Sequence, residues 1–373
     1  MTKRKLTILH TESSIGWGGQ EIRILHESIG MIKRGYRVII AAPEGSNIFK
    51  RARGVSINTF PTYFQKKNPI SILKVLSIIN REKVDIVNTH SSSDSWVTSI
   101  AARLSRVRPK IIRTRHLSTP ISRSFLSRIL YDVLPDAVIT TGEEIKQIMV
   151  NDNGFDGSKI FSIPTGIDLE RFNPTEVKPA FQANGFSVGM IGVLRSWKGH
   201  RYLIEAVPQI LKDIPDAVFY IVGDGPQREN IKNLIQEFSL EEKIFMLGYR
   251  EDIPEVLASL DVIVHPSYAN EGVPQSILQA MAMEKPVAAS NAGAIKEVVI
   301  DGEIGFLIEP KNVTQLAEKV IELYKVPELR IKFGKEGRKY VEKDFPIGKM
   351  LDKIESLYKF LEDKSESGKK HEF

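Results

Sequence analysis

Two doubly wound α/β domains, each a parallel sheet with helices on both faces, are the fold this sequence predicts, and three observations predict it. A chain of 373 residues can bury two separate cores of roughly 150 to 190 residues each. Short β-branched runs alternate with helix-period segments along nearly its whole length, which is the signature of parallel sheets. That alternation lapses once, in TGIDLERFNPTEVKPAFQANG (165–185), where two prolines mark a joint.

The first series of strand candidates is LTILH (6–10), YRVIIAA (36–42), VSINTF (55–60), VDIVNTH (84–90), KIIRTRH (110–116), DAVITTG (136–142) and KIFSIP (159–164). The second is FSVGMIG (186–192), AVFYIVG (217–223), KIFMLG (243–248), DVIVHPS (261–267), KPVAAS (285–290) and GFLIEP (305–310). The expected domains are 1–170 and 171–348, then a helix over 349–365 packing back toward the N-terminal domain, and a disordered tail over 366–373. Ligands of such sheets bind in a cleft at the carboxyl ends of the strands, so the loops after strands are where chemistry is expected.

Composition narrows the function classes. The absence of cysteine removes disulfides, thiolate catalysis and Cys-ligated zinc. No apolar run approaches the roughly 18 residues of a membrane span, and the MTKRK start leads only into LTIL, so a cytoplasmic, unprocessed chain is expected. Residues 1–171 carry 26 Lys and Arg against 15 Asp and Glu, leaving 26 against 31 in the remainder, so the halves differ in sign. Basic residues cluster at Arg103, Arg106, Arg108 and Lys110 and again at Arg113, Arg115, Arg123 and Arg128. They suit a solvated face, or a surface for anionic lipid headgroups or a phosphorylated acceptor. No aromatic-interleaved basic motif points to nucleic acid.

Several strand-end loops carry candidate residues. HTESSIGWGGQE places Gly16, Gly18 and Gly19 before a helix beginning near Gln20, either as a tight turn or to let a ligand approach the backbone. His90 and His116 end the fourth and fifth strands and would face one cleft. GVLRSWKGH sets Arg195 and Lys198 just before a helix, where two cations and free backbone amides suit a diphosphate. In IVGDGPQRE, Gly223 and Gly225 are followed by Arg228 where a dinucleotide fingerprint has its third glycine, which disfavours a nicotinamide cofactor. In LGYRED, backbone groups of Gly248 and Tyr249 could hold a planar base. HPSYANEGVPQSILQAMAMEKPVAAS reads as strand, loop, helix, strand: Pro274 suits a first helical turn, and Ile277, Leu278, Met281 and Ala282 form an apolar stripe. Glu271 then lies just before a helix N-terminus, as a cap or as an acceptor of hydrogen bonds from ligand hydroxyls.

Taken in order, the paired strand-end loops, GVLRSWKG, IVGDGP, LGYRED and EGVPQSILQAMA resemble the retaining family 4 (group 1) glycosyltransferases over almost the whole chain. The resemblance implies the GT-B fold, two Rossmann-like domains facing across a cleft, with a nucleotide-sugar donor on the C-terminal domain and a glycan or lipid-linked acceptor on the N-terminal one. It implies Arg195 and Lys198 on the donor diphosphate, Glu271 on sugar hydroxyls, and backbone N–H groups after Gly272, at Val273 and Gln275, near sugar and phosphate. Gly18 and Gly19 match the glycine loop beside the phosphates, His116 matches the N-domain histidine beside the transferred sugar, and His90 falls on the acceptor side. Two positions depart from the family pattern. Gln279 stands where a second glutamate commonly meets the ribose, keeping an acceptor but no charge. Val193 replaces an arginine, and Arg195 is the expected substitute by reach.

Without a D-x-D motif or a second carboxylate, the expectation is a metal-independent, cofactor-free transfer with retention. Arg195 and Lys198 would stabilise the departing nucleoside diphosphate. Cell-envelope polysaccharide or lipopolysaccharide synthesis, peripheral at the inner face of the membrane, is the expected setting. Other readings are a non-catalytic sugar-nucleotide-binding protein and a GT-B epimerase or phosphorylase.

Overall fold

The computed structural model describes residues 5–64, 69–117, 119–269 and 271–369. Thirteen strands form two all-parallel sheets. The first holds β1 (Thr7–Thr11), β2 (Arg37–Ala42), β3 (Asn58–Pro61), β4 (Ile86–Thr89), β5 (Lys110–Arg115), β6 (Ala137–Thr140) and β7 (Ile160–Ser162), in the order β3-β2-β1-β4-β5-β6-β7. The second holds β8 (Ser187–Ile191), β9 (Val218–Val222), β10 (Ile244–Gly248), β11 (Val262–His265), β12 (Val287–Ser290) and β13 (Phe306–Ile308), ordered β10-β9-β8-β11-β12-β13. All thirteen expected strands are present, because the β-branched runs of the inner strands are buried on both faces between helices, while the edge strands β3, β7 and β10 are only partly covered. In β9, Phe219 and Ile221 join the core on one face of the sheet while Val218, Tyr220 and Val222 join that on the other.

Each sheet reverses its winding once, between β1 and β4 and between β8 and β11. Such switch points open a crevice where two adjacent connections leave the sheet in opposite directions, and there a ligand finds loops from both.

The chain divides into two compact units, residues 1–164 with 350–373, and residues 165–349. The division therefore precedes the boundary expected after residue 170. Ile167 N donates to Phe345 O at 2.7 Å, Ile347 N returns a bond to Ile167 O at 2.9 Å, and Phe172 is buried in the second unit's core. The last helix, Ile347–Lys369, begins two residues before 349 and runs into the stretch expected as a tail, whose residues 370–373 lie outside those described. Its residues from 350 onward belong to the first unit. There Leu351 lies over Gly30, so closely that a Cβ would sit 2.4 Å from Leu351 Cδ1. Arg34 bonds Asp352 at 2.7 Å and Glu355 at 3.0 Å. No helix among the described residues is long and apolar enough to cross a membrane.

Candidate functional site

At the switch point of the second sheet, the loop after β8 is pressed onto the loop after β11. Gly199 makes this possible: its φ is +82°, and a Cβ there would lie 1.9 Å from Pro266 O. Tyr268 N then donates to Trp197 O at 2.9 Å, fixing the register of the two loops. The result is an ion pair between Lys198 Nζ and Glu271 Oε1 at 2.9 Å, largely shielded from solvent. Glu271 Oε1 also accepts from Ser267 Oγ at 2.9 Å, and Ser267 Oγ lies 3.2 Å from His265 Nε2. Burial would push the Glu271 carboxyl up, but the Lys198 ammonium and then His265 outweigh it and hold it below the usual carboxylate range. Burial first, and Lys198 second, press His265 down to about 3. A buried carboxylate accepts hydrogen bonds from hydroxyls, and an ammonium at the same point meets phosphate oxygens.

Other expected residues surround this pair in different roles. Arg195 is exposed, with its guanidinium 5.0 Å from the Trp197 ring centroid. Gly272 and Val273 are buried, Pro274 is the N-cap of the helix Gln275–Ala282 rather than within its first turn, and Gln279 is half-buried on that helix. The N–H of Gly223 is spent on Gly248 O at 2.8 Å, and its φ of +140° brings its Cα against Gly192 O. Gly223 is thus a packing glycine whose amide is already used. Tyr249 is exposed beside it.

At the switch point of the first sheet the expected pair of histidines proves to be three. His10 of β1, His90 just after β4 and His116 just after β5 form a row, with His10 Nδ1 and His90 Nε2 3.0 Å apart and His90 Nδ1 and His116 Nε2 3.0 Å apart. Burial lowers the affinity of all three for protons, and for His90 and His116 it does so to well below the ordinary value. Beside them Glu12 accepts from Ser91 Oγ at 2.6 Å and Ser14 N at 2.7 Å, and is also bonded to Gln20. Asp94 accepts from His90 N and Ser91 N at 2.9 Å each. Burial first, then the Glu12 charge, pushes Asp94 up to about 8. Gly18 is the N-cap of the helix Gly19–Lys33, and its N–H is bonded to Glu21 Oε2 at 2.8 Å. The helix thus starts at Gly19, one residue before Gln20, and the amide of Gly18 is committed.

His10, Glu12 and Asp94 were not among the expected site residues. Their signal is positional: each stands at or just past the carboxyl end of β1 or β4. Arg113, placed by its sequence among surface cations, is buried instead, with Nη2 donating to Tyr131 Oη at 2.9 Å. As an inward-facing residue of β5 it needs that partner.

Comparison with known proteins gives the family to which the chain belongs. Glycosyl transferases group 1 matches residues 174–340, and Glycosyltransferase Family 4 matches residues 17–171. The UDP-Gal:alpha-D-GlcNAc-diphosphoundecaprenol alpha-1,3-galactosyltransferase of Escherichia coli is 32% identical over 310 residues, 78% of this chain and 79% of its own. The chain belongs to the group 1 glycosyltransferases. Among solved structures, a glycosyltransferase from Rickettsia africae ESF-5 superposes with a TM-score of 0.85 at 26% identity, covering 96% of this chain and 98% of that one. Anabaena HepE in complex with UDP and glucose superposes at 0.84 with 21% identity, covering 94% and 99%. Two parallel sheets in two Rossmann-like units make this group 1 glycosyltransferase a GT-B enzyme. Among its described residues no group of three or more His, Asp or Glu is arranged to hold a metal ion.

Proposed function

We propose that this glycosyltransferase moves a hexose, with retention and without a metal ion, from a uridine diphosphate sugar to a glycan carried on a lipid diphosphate in envelope polysaccharide synthesis. The buried Lys198–Glu271 pair at the β8/β11 switch point carries this reading, since it supplies one anion-binding and one hydroxyl-binding group at a single point. The named substrates of the Escherichia coli relative support the choice of donor and acceptor. Lys198 takes up the charge that grows on the departing diphosphate, Arg195 adds a second cation by leaving Trp197, and Glu271 and His116 hold sugar hydroxyls. The bond from the anomeric carbon to the diphosphate breaks, the acceptor oxygen bonds that carbon on the same face, and the acceptor proton passes to a phosphate oxygen of the leaving group. Phe125 and Leu126, both strongly exposed between Arg123 and Arg128, support docking of the first unit on an anionic membrane surface.

The test is turnover of a panel of UDP, GDP and ADP sugars with a diphosphate-linked N-acetylglucosaminyl polyprenol acceptor, with and without EDTA. The expected result is an α-linked product from a UDP-hexose, unaffected by chelation. A β-linked product, loss of turnover with EDTA, or donor binding without transfer each overturns the corresponding part.

A further inference from the structure

The histidine row continues inward past His10. His10 Nε2 faces Glu27 Oε1 at 3.8 Å, and both residues are fully buried. Glu27 is held from two other sides: Tyr358 Oη, on the last helix, lies 3.3 Å from Oε1, and Arg23 Nε lies 3.9 Å from Oε2. Burial, and then the charge of Glu27, pushes the Tyr358 hydroxyl well above its ordinary value, so it keeps its proton and donates. Glu27 Oε1 is therefore an acceptor on the side that His10 faces.

The rings of His10 and His90 lie within 18° of parallel with centroids 5.3 Å apart, yet two nitrogens approach to 3.0 Å. They meet edge to edge, in the geometry of an in-plane N–H···N bond. His90 and His116 also meet edge to edge, with centroids 5.2 Å apart and a larger tilt of 35° between the rings. A neutral imidazole carries one N–H, so two such bonds in series share one direction. In one direction every histidine carries its proton on Nε2, and His10 points an N–H at Glu27. In the other, every proton is on Nδ1, and a lone pair of His10 confronts the Glu27 oxygen. The first is favoured by the charge of Glu27.

We propose that His10 and His90, biased by Glu27, are positioning residues that lock His116 as its Nε2–H tautomer and so present His116 Nδ1 as a hydrogen-bond acceptor at the carboxyl end of β5. Only the identity of the group it receives, a hydroxyl of the transferred sugar, rests on the function proposed above. The row transmits the charge of a carboxylate on the helix Gly19–Lys33 to a nitrogen at the sheet end without moving a net charge between them.

The experiment is ring nitrogen NMR on the full chain labelled at histidine, with signals assigned through His90→Gln and His116→Gln, alongside kinetics of Glu27→Gln and Tyr358→Phe. The expected spectrum shows His116 protonated on Nε2. Glu27→Gln, whose amide can turn a donor toward His10, shifts His116 toward the Nδ1–H form and lowers kcat about tenfold with little change in donor KM. Tyr358→Phe removes a competing donor from Glu27 Oε1 and leaves the Nε2–H form in place, whereas His10→Phe, which cuts the row off from Glu27, shifts it as Glu27→Gln does and serves if Glu27→Gln does not fold. His116→Ala combined with Glu27→Gln turns over no more slowly than His116→Ala alone. An Nδ1–H form of His116 in the unaltered chain overturns the proposal, as does a tautomer that neither Glu27→Gln nor His10→Phe moves. Normal transfer by His116→Ala, with the tautomer still responding to Glu27, leaves the relay standing and removes His116 from the sugar site instead.

Discussion

At the switch point of the second sheet, Lys198 and Glu271 form an ion pair; at that of the first, burial presses three histidines below their ordinary proton affinity and pushes Asp94 up to about 8. The two places are equivalent in topology, one lying between β8 and β11 and the other between β1 and β4. Both are buried, so desolvation opposes charge in each. The difference is a partner. Glu271 has an ammonium within 2.9 Å, enough to offset its desolvation, whereas Asp94 has Glu12 nearby, whose charge adds to the penalty. On the function proposed above, the second place meets a diphosphate, for which it keeps a cation ready, and the first meets uncharged hydroxyls, for which directed donors and acceptors suffice.

Removing the cation breaks this contrast most severely. Lys198→Ala is expected to lower kcat about a hundredfold, or about 3 kcal/mol in the barrier, by the loss of one charge contact at a developing anion. Steady-state kinetics check it, and a loss below tenfold removes Lys198 from the diphosphate. The same variant leaves Glu271 buried and unpaired, so its carboxyl should titrate above the normal range.

Gly199→Ala should follow. It forces a side chain into a left-handed backbone and against Pro266 O, at an expected cost of about 2 to 3 kcal/mol by urea unfolding. Activity should fall with it, since the two loops that hold Lys198 and Glu271 lose their contact. Unchanged stability would mean that the loops do not depend on that approach.

The two regions should also answer pH with opposite signs. Asp94 has its folded value raised to about 8, so the folded state binds the proton more tightly and its contribution declines as pH rises from about 4 through 8. His265 has its folded value lowered to about 3, so the unfolded state binds the proton more tightly and stability is lost as pH falls from 6.5 toward 3. The wild-type stability relative to Asp94→Asn should therefore decrease between pH 5 and 8, by at most about 1.4 kcal/mol per pH unit. Melting curves of the two proteins across that range decide it, and parallel curves refute the assignment.

Arg195→Ala sharpens the comparison with the smallest effect. Its guanidinium is exposed and must first give up its contact over Trp197, worth about 0.5 to 1 kcal/mol, which offsets part of what it gains on the diphosphate, so a loss of kcat/KM of only about three- to fivefold is expected. A loss equal to that of Lys198→Ala would make Arg195 an equal partner on the diphosphate.

Much of this was legible in the chain. Runs such as YRVIIAA and AVFYIVG leave little choice but a strand buried on both faces, and Arg195, Lys198 and Glu271 stand in loops directly after such runs. What lies beyond one loop was not legible. His10 and His90 are 80 residues apart and touch because β4 crosses over to lie beside β1. Gly223 carries a nucleotide-binding look, yet its amide is given to Gly248, a bond that depends on the pairing of β9 with β10. The domain boundary fell six residues from its expected place because Ile167 pairs with Pro346, at the far end of the second unit.

By itself, the sequence determined the number and kind of strands, the two-domain α/β architecture and the residue types at each strand end, because hydrophobic period and turn chemistry are local properties. Only the tertiary structure decided which strand ends are neighbours, and so which charges meet. Proton affinities and hydrogen-bond direction depend on distances of a few ångströms between residues far apart in the chain, and the order of strands in a sheet sets those distances.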